Sequence, residues 1–253
     1  MILLKNVGFQ YGNRKILKNI SLSVQKGSFY GVIGPNGAGK TTLMNIITGL
    51  RSDFTGRVYI KNKSITEYKI KELARQISVV PQQMDIRFPY TCLEIVMMGR
   101  TPYKSRLRAL SRRDMGIVRR CMEMTDTIRF ADCLITELSG GEKQRVILAK
   151  ALAQQPEVLF LDEAFSHMDI YYSVKCLNVL KQLVDEDGLT VVCIMHDLNL
   201  VSSFCSEVVM LQNGEVVRQG RTETVMKPEL IHGTFKIKVA KAGNSGLAVL
   251  PEL

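Results

Sequence analysis

The sequence predicts an α/β fold, with a mostly parallel sheet, an antiparallel β portion at the start and a helical insertion in the middle. Three observations predict it. Short strand-like segments crowd residues 1–28. From about Asp85 to Gln155 strand signals vanish and helical periodicity dominates. Beyond the insertion, strands and helices alternate, as they do where helical crossovers join parallel strands.

Taken in order, Ile2–Val7, Ile16–Leu17 and Ile20–Val24 alternate apolar and polar residues, punctuated by Gly12 and Gly27. They predict an antiparallel sheet leading into the apolar strand Phe29–Ile33. Phe9–Gly12 marks a turn between two of them. A helix from Leu43 stops at Gly49. Arg57–Ile60 reads as a strand, Lys69–Arg75 as a short helix, and Ile77–Val80 as a buried strand ending at Pro81-Gln82-Gln83. In the insertion, Leu93, Ile95 and Val96, then Ile117, Val118, Cys121 and Met122, recur at helical spacing. Strand Val158–Leu161, a helix over Ile170–Asp185, strand Thr190–Met195 and a helix after His196 follow. A hairpin, Glu207–Gln212 with Glu215–Gln219, turns on Asn213-Gly214, the strongest short signal for a type I′ turn. The expected organisation is one domain: a core from 1–84 and 156–253 and a helical subdomain over 85–155.

Between Phe29–Ile33 and the helix from Leu43 lies Gly34-Pro35-Asn36-Gly37-Ala38-Gly39-Lys40-Thr41-Thr42. Strand, glycine-rich loop and helix in this order give G-x-x-x-x-G-K-[ST] the context of a phosphate-binding loop. The glycines let backbone N–H groups turn inward at a helix N-terminus, where phosphate oxygens bind. Lys40 would reach the β- and γ-phosphates, Thr41 would ligate Mg²⁺, and Thr42 would add a hydroxyl to a phosphate. The implied ligand is a nucleoside triphosphate.

In open α/β sheets, ligands sit beyond the carboxyl ends of the strands. Gln82 ends one apolar strand, Asp162 and Glu163 another, and His196 a third. Each has an ordinary reading alone: a turn glutamine, an acidic helix start, a lone histidine. Jointly they point to phosphoryl-transfer chemistry. Asp162 suits holding Mg²⁺ through water, and Glu163 orienting and deprotonating the attacking water. His196 suits donation to a γ-phosphate oxygen, and Gln82 contact with the metal–water cluster. Leu138-Ser139-Gly140-Gly141-Glu142 opens another helix and offers a second anion cradle. The phosphate loop already holds this chain's phosphates, so the second cradle calls for a two-fold partner's nucleotide. Tyr11 offers its ring for purine stacking, although alone it reads as an edge aromatic.

Composition narrows the classes. At 46% apolar residues the chain is an ordinary globular protein. No apolar run reaches the roughly 20 residues of a membrane helix, and Met1–Lys5 reads as a first strand instead of a signal peptide. Cys92, Cys121, Cys133, Cys176, Cys193 and Cys205 form no C-x-x-C pair, which argues against zinc and for reduced cytosolic thiols. A net charge of +10, concentrated in Lys61–Arg75 and Lys104–Arg120, fits either solvated faces or an anionic membrane surface.

The phosphate loop, Leu138–Glu142, Asp162-Glu163, Ser166-His167-Met168-Asp169 and His196, in this order and spacing, resemble the ATP-binding-cassette ATPases over essentially the whole chain. The resemblance implies a P-loop NTPase (RecA-like) core, with an antiparallel β subdomain and a helical subdomain inserted after the Q-loop. ATP and Mg²⁺ would be the cofactors, with Gly34, Pro35, Asn36, Gly37, Ala38, Gly39, Lys40, Thr41 and Thr42 on the phosphates and Tyr11 on the adenine. Thr41, Gln82 and Asp162 would attend the metal, and Glu163, His196 and Gln82 catalysis. Ser139, Gly140, Gly141 and Glu142 form the signature facing the other subunit's ATP, and Asp169 is the D-loop aspartate. The implied partners are a second copy, an integral-membrane permease and, indirectly, an extracytoplasmic binding protein, at the cytoplasmic face of the membrane and without nucleic acid.

A narrower likeness lies in Met97–Tyr103 and in Gly233–Val239, which resemble the ATPases of iron–siderophore, haem and cobalamin importers. By its residues alone, Gly99–Tyr103 equally ends a helix and starts a loop. One departure stands out: the family's Asp-Glu-Pro-(Thr/Ser)-Ser becomes Asp162-Glu163-Ala164-Phe165-Ser166. Alanine fits the backbone, and Phe165 is bulky enough to alter a dimer contact or the rate. With Asp162, Glu163 and Asp169 present, activity is expected to survive. Competing readings are a soluble cassette ATPase acting on nucleic acid or ribosomes, or an exporter ATPase. A single cassette and basic runs without interleaved aromatic platforms argue against the first. Met84 and Ile95–Met98 read either as a groove for a membrane-protein helix or as subdomain core.

Overall fold

The computed structural model describes residues 1–84, 86–103, 109–166, 168–242 and 246–250. Asp85 at the expected start of the insertion, Lys104–Arg108 of the second basic run, and His167 lie outside the described residues. The elements run β1 (Ile2–Tyr11), β2 (Arg14–Val24), β3 (Phe29–Ile33), α1 (Lys40–Ile47), β4 (Thr55–Ile60), β5 (Lys63–Ser64), α2 (Ile70–Gln76) and β6 (Ile77–Val80). Then come α3 (Cys92–Met97), α4 (Arg112–Met124), α5 (Gly140–Ala153), β7 (Val158–Asp162) and α6 (Ile170–Asp187). The chain continues through β8 (Thr190–Ile194), α7 (Leu198–Phe204), β9 (Glu207–Gln212), β10 (Glu215–Arg221), α8 (Thr222–Val225), α9 (Pro228–Phe235), β11 (Lys238–Ala242) and β12 (Gly246–Leu250). Two compact units result, Met1–Tyr68 with Thr190–Leu253, and Lys69–Leu189.

The first unit holds the antiparallel sheet, in the order β2-β1-β4-β5. The sequence pattern split residues 16–24 into two strands, whereas the structure runs them as one. Buried Leu17 and Ile20 are three apart, as are Leu4 and Val7, and strict alternation would send one of each pair outward. Asn6 and Asn19 adopt positive φ (50° and 51°), and the register slips between these residues. The bulges return both apolar residues to the same face. Phe9, Gln10 and Tyr11 also stay in β1, and the turn falls one step later, at Gly12-Asn13.

The same unit carries the parallel strands that end at the phosphate loop. β3, buried along its whole length, pairs in parallel with β8 on one edge and β9 on the other. β10 returns antiparallel through Asn213 and Gly214, whose φ values of 50° and 79° are those of the predicted I′ turn.

In the second unit β6 and β7 pair in parallel, Ile77 opposite Val158 through Val80 opposite Leu161. Between them the described residues form α3, α4, α5 and short 3₁₀ turns but no strand, apart from a lone bridge of Thr91 with Leu134. Thr91, Ser111 and Ser139 each cap their helix and are capped in return by Glu94, Asp114 and Glu142. These reciprocal pairs satisfy backbone donors that would otherwise be left open.

The Gly99–Tyr103 segment is a clip on the carboxyl end of α5. A side-chain carbon on Gly99 would lie 2.3 Å from the Lys150 carbonyl. Buried Arg100 donates to the Ala153 carbonyl (2.8 Å), to Gln155 (3.0 Å) and to Asp114 (2.8 Å), and lies 4.1 Å from the Tyr103 ring. Ile95 and Val96 are core, while Met84 and Met98 are exposed. Five cysteines are buried, and burial pushes the thiols of Cys92, Cys121 and Cys176 up to about 11. Among the described residues no helix is long and apolar enough to cross a membrane.

Candidate functional site

The phosphate loop leaves β3 with Gly34 at φ 152° and closes at Gly39, φ 99°, the N-cap of α1. Both positions require glycine. A Cβ at Gly34 would fall 2.1 Å from the Leu211 carbonyl oxygen, and one at Gly39 2.6 Å from the Leu17 side chain. A Cβ on Gly37 would meet nothing within 4 Å, so the crest of the loop is open. No side chain caps α1 and no acidic residue stands in its first turn. The positive end of the helix dipole is therefore not neutralised by its own sequence. Buried Lys40 folds back along the loop, donating to the carbonyls of Gly34 (2.8 Å) and Pro35 (3.1 Å). Thr41 is exposed and Thr42 half-buried. Glycines, helix end and ammonium together fit a polyphosphate.

His196 lies just beyond β8, exposed, at the same end of the parallel β3–β8 pair as the loop. Asp197 beside it caps α7, accepting from Asn199 and Leu200 N–H. Tyr11 is half exposed at the end of β1, edge-on to buried Phe9 at 4.7 Å. The Arg51 guanidinium lies 4.6 Å from both ring centroids and is paired with Asp53 at 3.2 Å.

In the second unit Gln82 follows β6, and Asp162 and Glu163 stand at the end of β7. Gln82 Nε2 donates to Glu163 Oε2 at 2.8 Å. That commits the amide nitrogen and leaves the harder oxygen for a cation. Asp162 is buried. Glu163 turns left-handed at φ 50°, a conformation that costs a non-glycine residue about 1 kcal/mol. Its carbonyl accepts from Ser166 N–H (3.1 Å) and hydroxyl (2.9 Å), which locks the turn. Ala164 and Phe165, the two departures from the family pattern, are both buried within the chain.

Ser139 and Gly140 are exposed at the start of α5. Ser139 Oγ donates to Glu142 Oε2 (2.6 Å), and Ser139 N–H to the same oxygen (2.9 Å). These bonds hold the Glu142 carboxyl below the ordinary glutamate range, so it is ionised at neutral pH. Asp169 caps α6, accepting from Tyr172 N–H at 3.0 Å. The structure therefore groups the phosphate loop with His196, and Gln82 with Asp162 and Glu163.

Three side chains in these surroundings carried no assigned role in the sequence reading: Arg51, Gln144 and Arg145. Gln144 Nε2 donates to the Pro81 carbonyl at 2.7 Å, and Arg145, almost fully buried, lies 4.0 Å from the Tyr172 ring. Polar residues followed at once by the apolar run Val146–Ala149 were the available signal.

A parallel strand feeding a glycine-built loop and a lysine-bearing helix defines the class of P-loop nucleotide-binding proteins. Within that class, the ABC transporter family model matches residues 17–166. The chain is 42% identical over 90% of its length to the uncharacterized ABC transporter ATP-binding protein YvrA of Bacillus subtilis, covering 52% of it. It is 36% identical over 89% of its length to the cobalamin import ATP-binding protein BtuD of Halobacterium salinarum, covering 56%. With the iron(3+)-hydroxamate import ATP-binding protein FhuC of Bacillus subtilis it shares 33% identity, over 92% of this chain and 87% of that one. The solved dimeric structure of MJ0796, a bacterial ABC transporter cassette, superposes with a TM-score of 0.78 at 34% identity, over 88% of this chain and 99% of that one. The chain belongs to the ATP-binding subunits of the ABC transporter family. It spans about half the length of the first curated relatives it matches.

Proposed function

We propose that this chain is the ATP-hydrolysing subunit of an ABC import system for a metal chelate of the iron–siderophore, haem or cobalamin type. The observation that carries the ATP reading is the phosphate loop, with its left-handed Gly39, no side-chain cap on α1, and Lys40 laid along it. The names of BtuD and FhuC support the import reading. The Gly99–Tyr103 segment supports it less than its sequence promised, because its groups serve the packing of α5.

In this reading the loop N–H groups and Lys40 hold the triphosphate, and Tyr11 stacks on the base. The oxygen donors of Thr41, Asp162 and Gln82 suit Mg²⁺, which would supply charge neutralisation at the transferring phosphoryl group. Glu163 accepts the proton of the attacking water, and His196 donates to the terminal phosphate. Ser139 and Gly140 complete the nucleotide site of a second copy, with Asp169 at the same interface. ATP binding then closes a homodimer, and hydrolysis reopens it against a permease at the cytoplasmic face of the membrane.

Affinity capture of Glu163→Gln from solubilised membranes of its source cells, with ATP and Mg²⁺, tests the proposal. Recovery of a polytopic permease together with a binding protein supports import. Recovery of ribosomal or DNA-bound proteins without a permease overturns it.

A further inference from the structure

Gln144 sits on the buried face of α5, five residues beyond Ser139, and is 6% exposed. Burying an amide is unfavourable unless it is hydrogen-bonded. What the amide does is specific: its Nε2 donates to the Pro81 carbonyl at 2.7 Å. That carbonyl belongs to the same rigid peptide plane as the Gln82 nitrogen. The bond therefore sets the plane from which Gln82 reaches Glu163 Oε2 at 2.8 Å.

The opposite end of β6 is gripped by the same helix. Gln154, the C-cap of α5, donates through Nε2 to the Ile77 carbonyl at 2.6 Å and to the Ala74 carbonyl. Ser78 Oγ closes on Gln154 Oε1 at 3.3 Å. Both ends of β6 are thus tied by glutamine amides to α5. On a different azimuth of the helix, Arg145 donates to the Asp126 carbonyl at 2.8 Å and stacks on Tyr172, whose N–H donates to the Asp169 carboxylate. Ser139 caps the same continuous helix that carries Gln144 and Arg145.

We propose that Gln144 is a positioning residue of the hydrolysis reaction. By holding the Pro81 carbonyl it makes the Gln82–Glu163 contact follow the position of the Ser139 end of α5. This rests on the roles proposed for Gln82 and Glu163. Mutant cycles measure coupling of this kind.

The experiment compares wild type, Gln144→Leu, Gln82→Ala and the double variant in the full chain, reading kcat, KM and equilibrium ATP affinity. Gln144→Leu is expected to lower kcat about tenfold, the scale of one lost hydrogen bond, with ATP affinity changed less than about twofold. In the Gln82→Ala background the same change should add less than about twofold. Gln144→Glu supplies an independent readout, since its carboxyl donates to a carbonyl only when protonated. Its kcat relative to wild type should recover as the pH is lowered. Multiplicative losses in the cycle, a fall in ATP affinity matching the fall in kcat, or a Gln144→Glu profile parallel to wild type would overturn the proposal. Absence of turnover in wild type, or normal turnover in Glu163→Gln, would instead remove the reading beneath it.

Discussion

α1 has a glycine as its N-cap, Gly39, and α5 has one as its first residue, Gly140, and the two helices begin differently. α1 starts at a left-handed glycine with no side-chain cap and no acid in its first turn. α5 starts at Ser139, whose hydroxyl and N–H are both taken by Glu142 of the same helix. The glycines differ too. A carbon added to Gly39 collides with Leu17, whereas one added to Gly140 meets nothing within 4 Å. The folded chain itself requires Gly39; nothing within the folded chain requires Gly140. An exposed glycine at a helix start, unexplained by its own chain, is what a surface approached by a second molecule needs. The first helix end is left uncapped by its own sequence, as an anion site requires, and the second is satisfied by Glu142; in the proposed function it would receive a second copy's nucleotide.

The largest effect that would sharpen this contrast is chemical. Glu163→Gln should lower kcat by about 10²–10⁴-fold, the range for loss of a general base, with ATP affinity retained. Turnover near wild type would remove Glu163 from the proposed mechanism. Next in size is Gly39→Ala, which forces alanine into φ 99° against Leu17. It should destabilise the fold by about 2 kcal/mol or more, read by denaturant unfolding.

Gly140→Ala separates stability from activity. Alanine is the better helix former by up to about 1 kcal/mol, so the folded state should be unchanged or more stable. If the proposed function holds, turnover should nevertheless fall several-fold, because the added methyl would occupy space needed by a second copy's nucleotide. Equal turnover in the variant would break the comparison.

Smallest is Glu142→Ala, which opens the capping box at a cost of about 1 kcal/mol. The Glu142 carboxyl is held below its ordinary value of 4.5 by hydrogen bonds from Ser139. A carboxyl depressed in the folded state stabilises above its unfolded pKa and loses that contribution as pH falls through the lower folded value. The difference in melting temperature between wild type and Glu142→Ala should therefore be full at neutral pH and shrink below about pH 4.5. A gap that widens under acid would contradict the cap.

Local chemistry made much of this legible in the sequence. The phosphate loop and the Asn213-Gly214 hairpin follow from short patterns, and the strand-end positions of Gln82, Asp162, Glu163 and His196 become informative taken jointly. What stayed hidden depended on tertiary partners. The bulges at Asn6 and Asn19 look like breaks in alternation until the paired strand shows them restoring it. Burial of Phe165 is likewise not written in its local sequence. Arg100 and Gln144 gain meaning from carbonyls 53 and 63 residues away in sequence, at Ala153 and Pro81. No window of sequence contains such pairs.

The central claim is that the Ser139 end of α5 is completed by a second copy's nucleotide. Sedimentation of Glu163→Gln with saturating ATP and Mg²⁺ tests it most directly, with ADP as the control. The account predicts a dimer with ATP, a monomer with ADP, and loss of the ATP-bound dimer when Gly140→Ala is added. A chain that stays monomeric with ATP bound, or a dimer indifferent to Gly140→Ala, would contradict it.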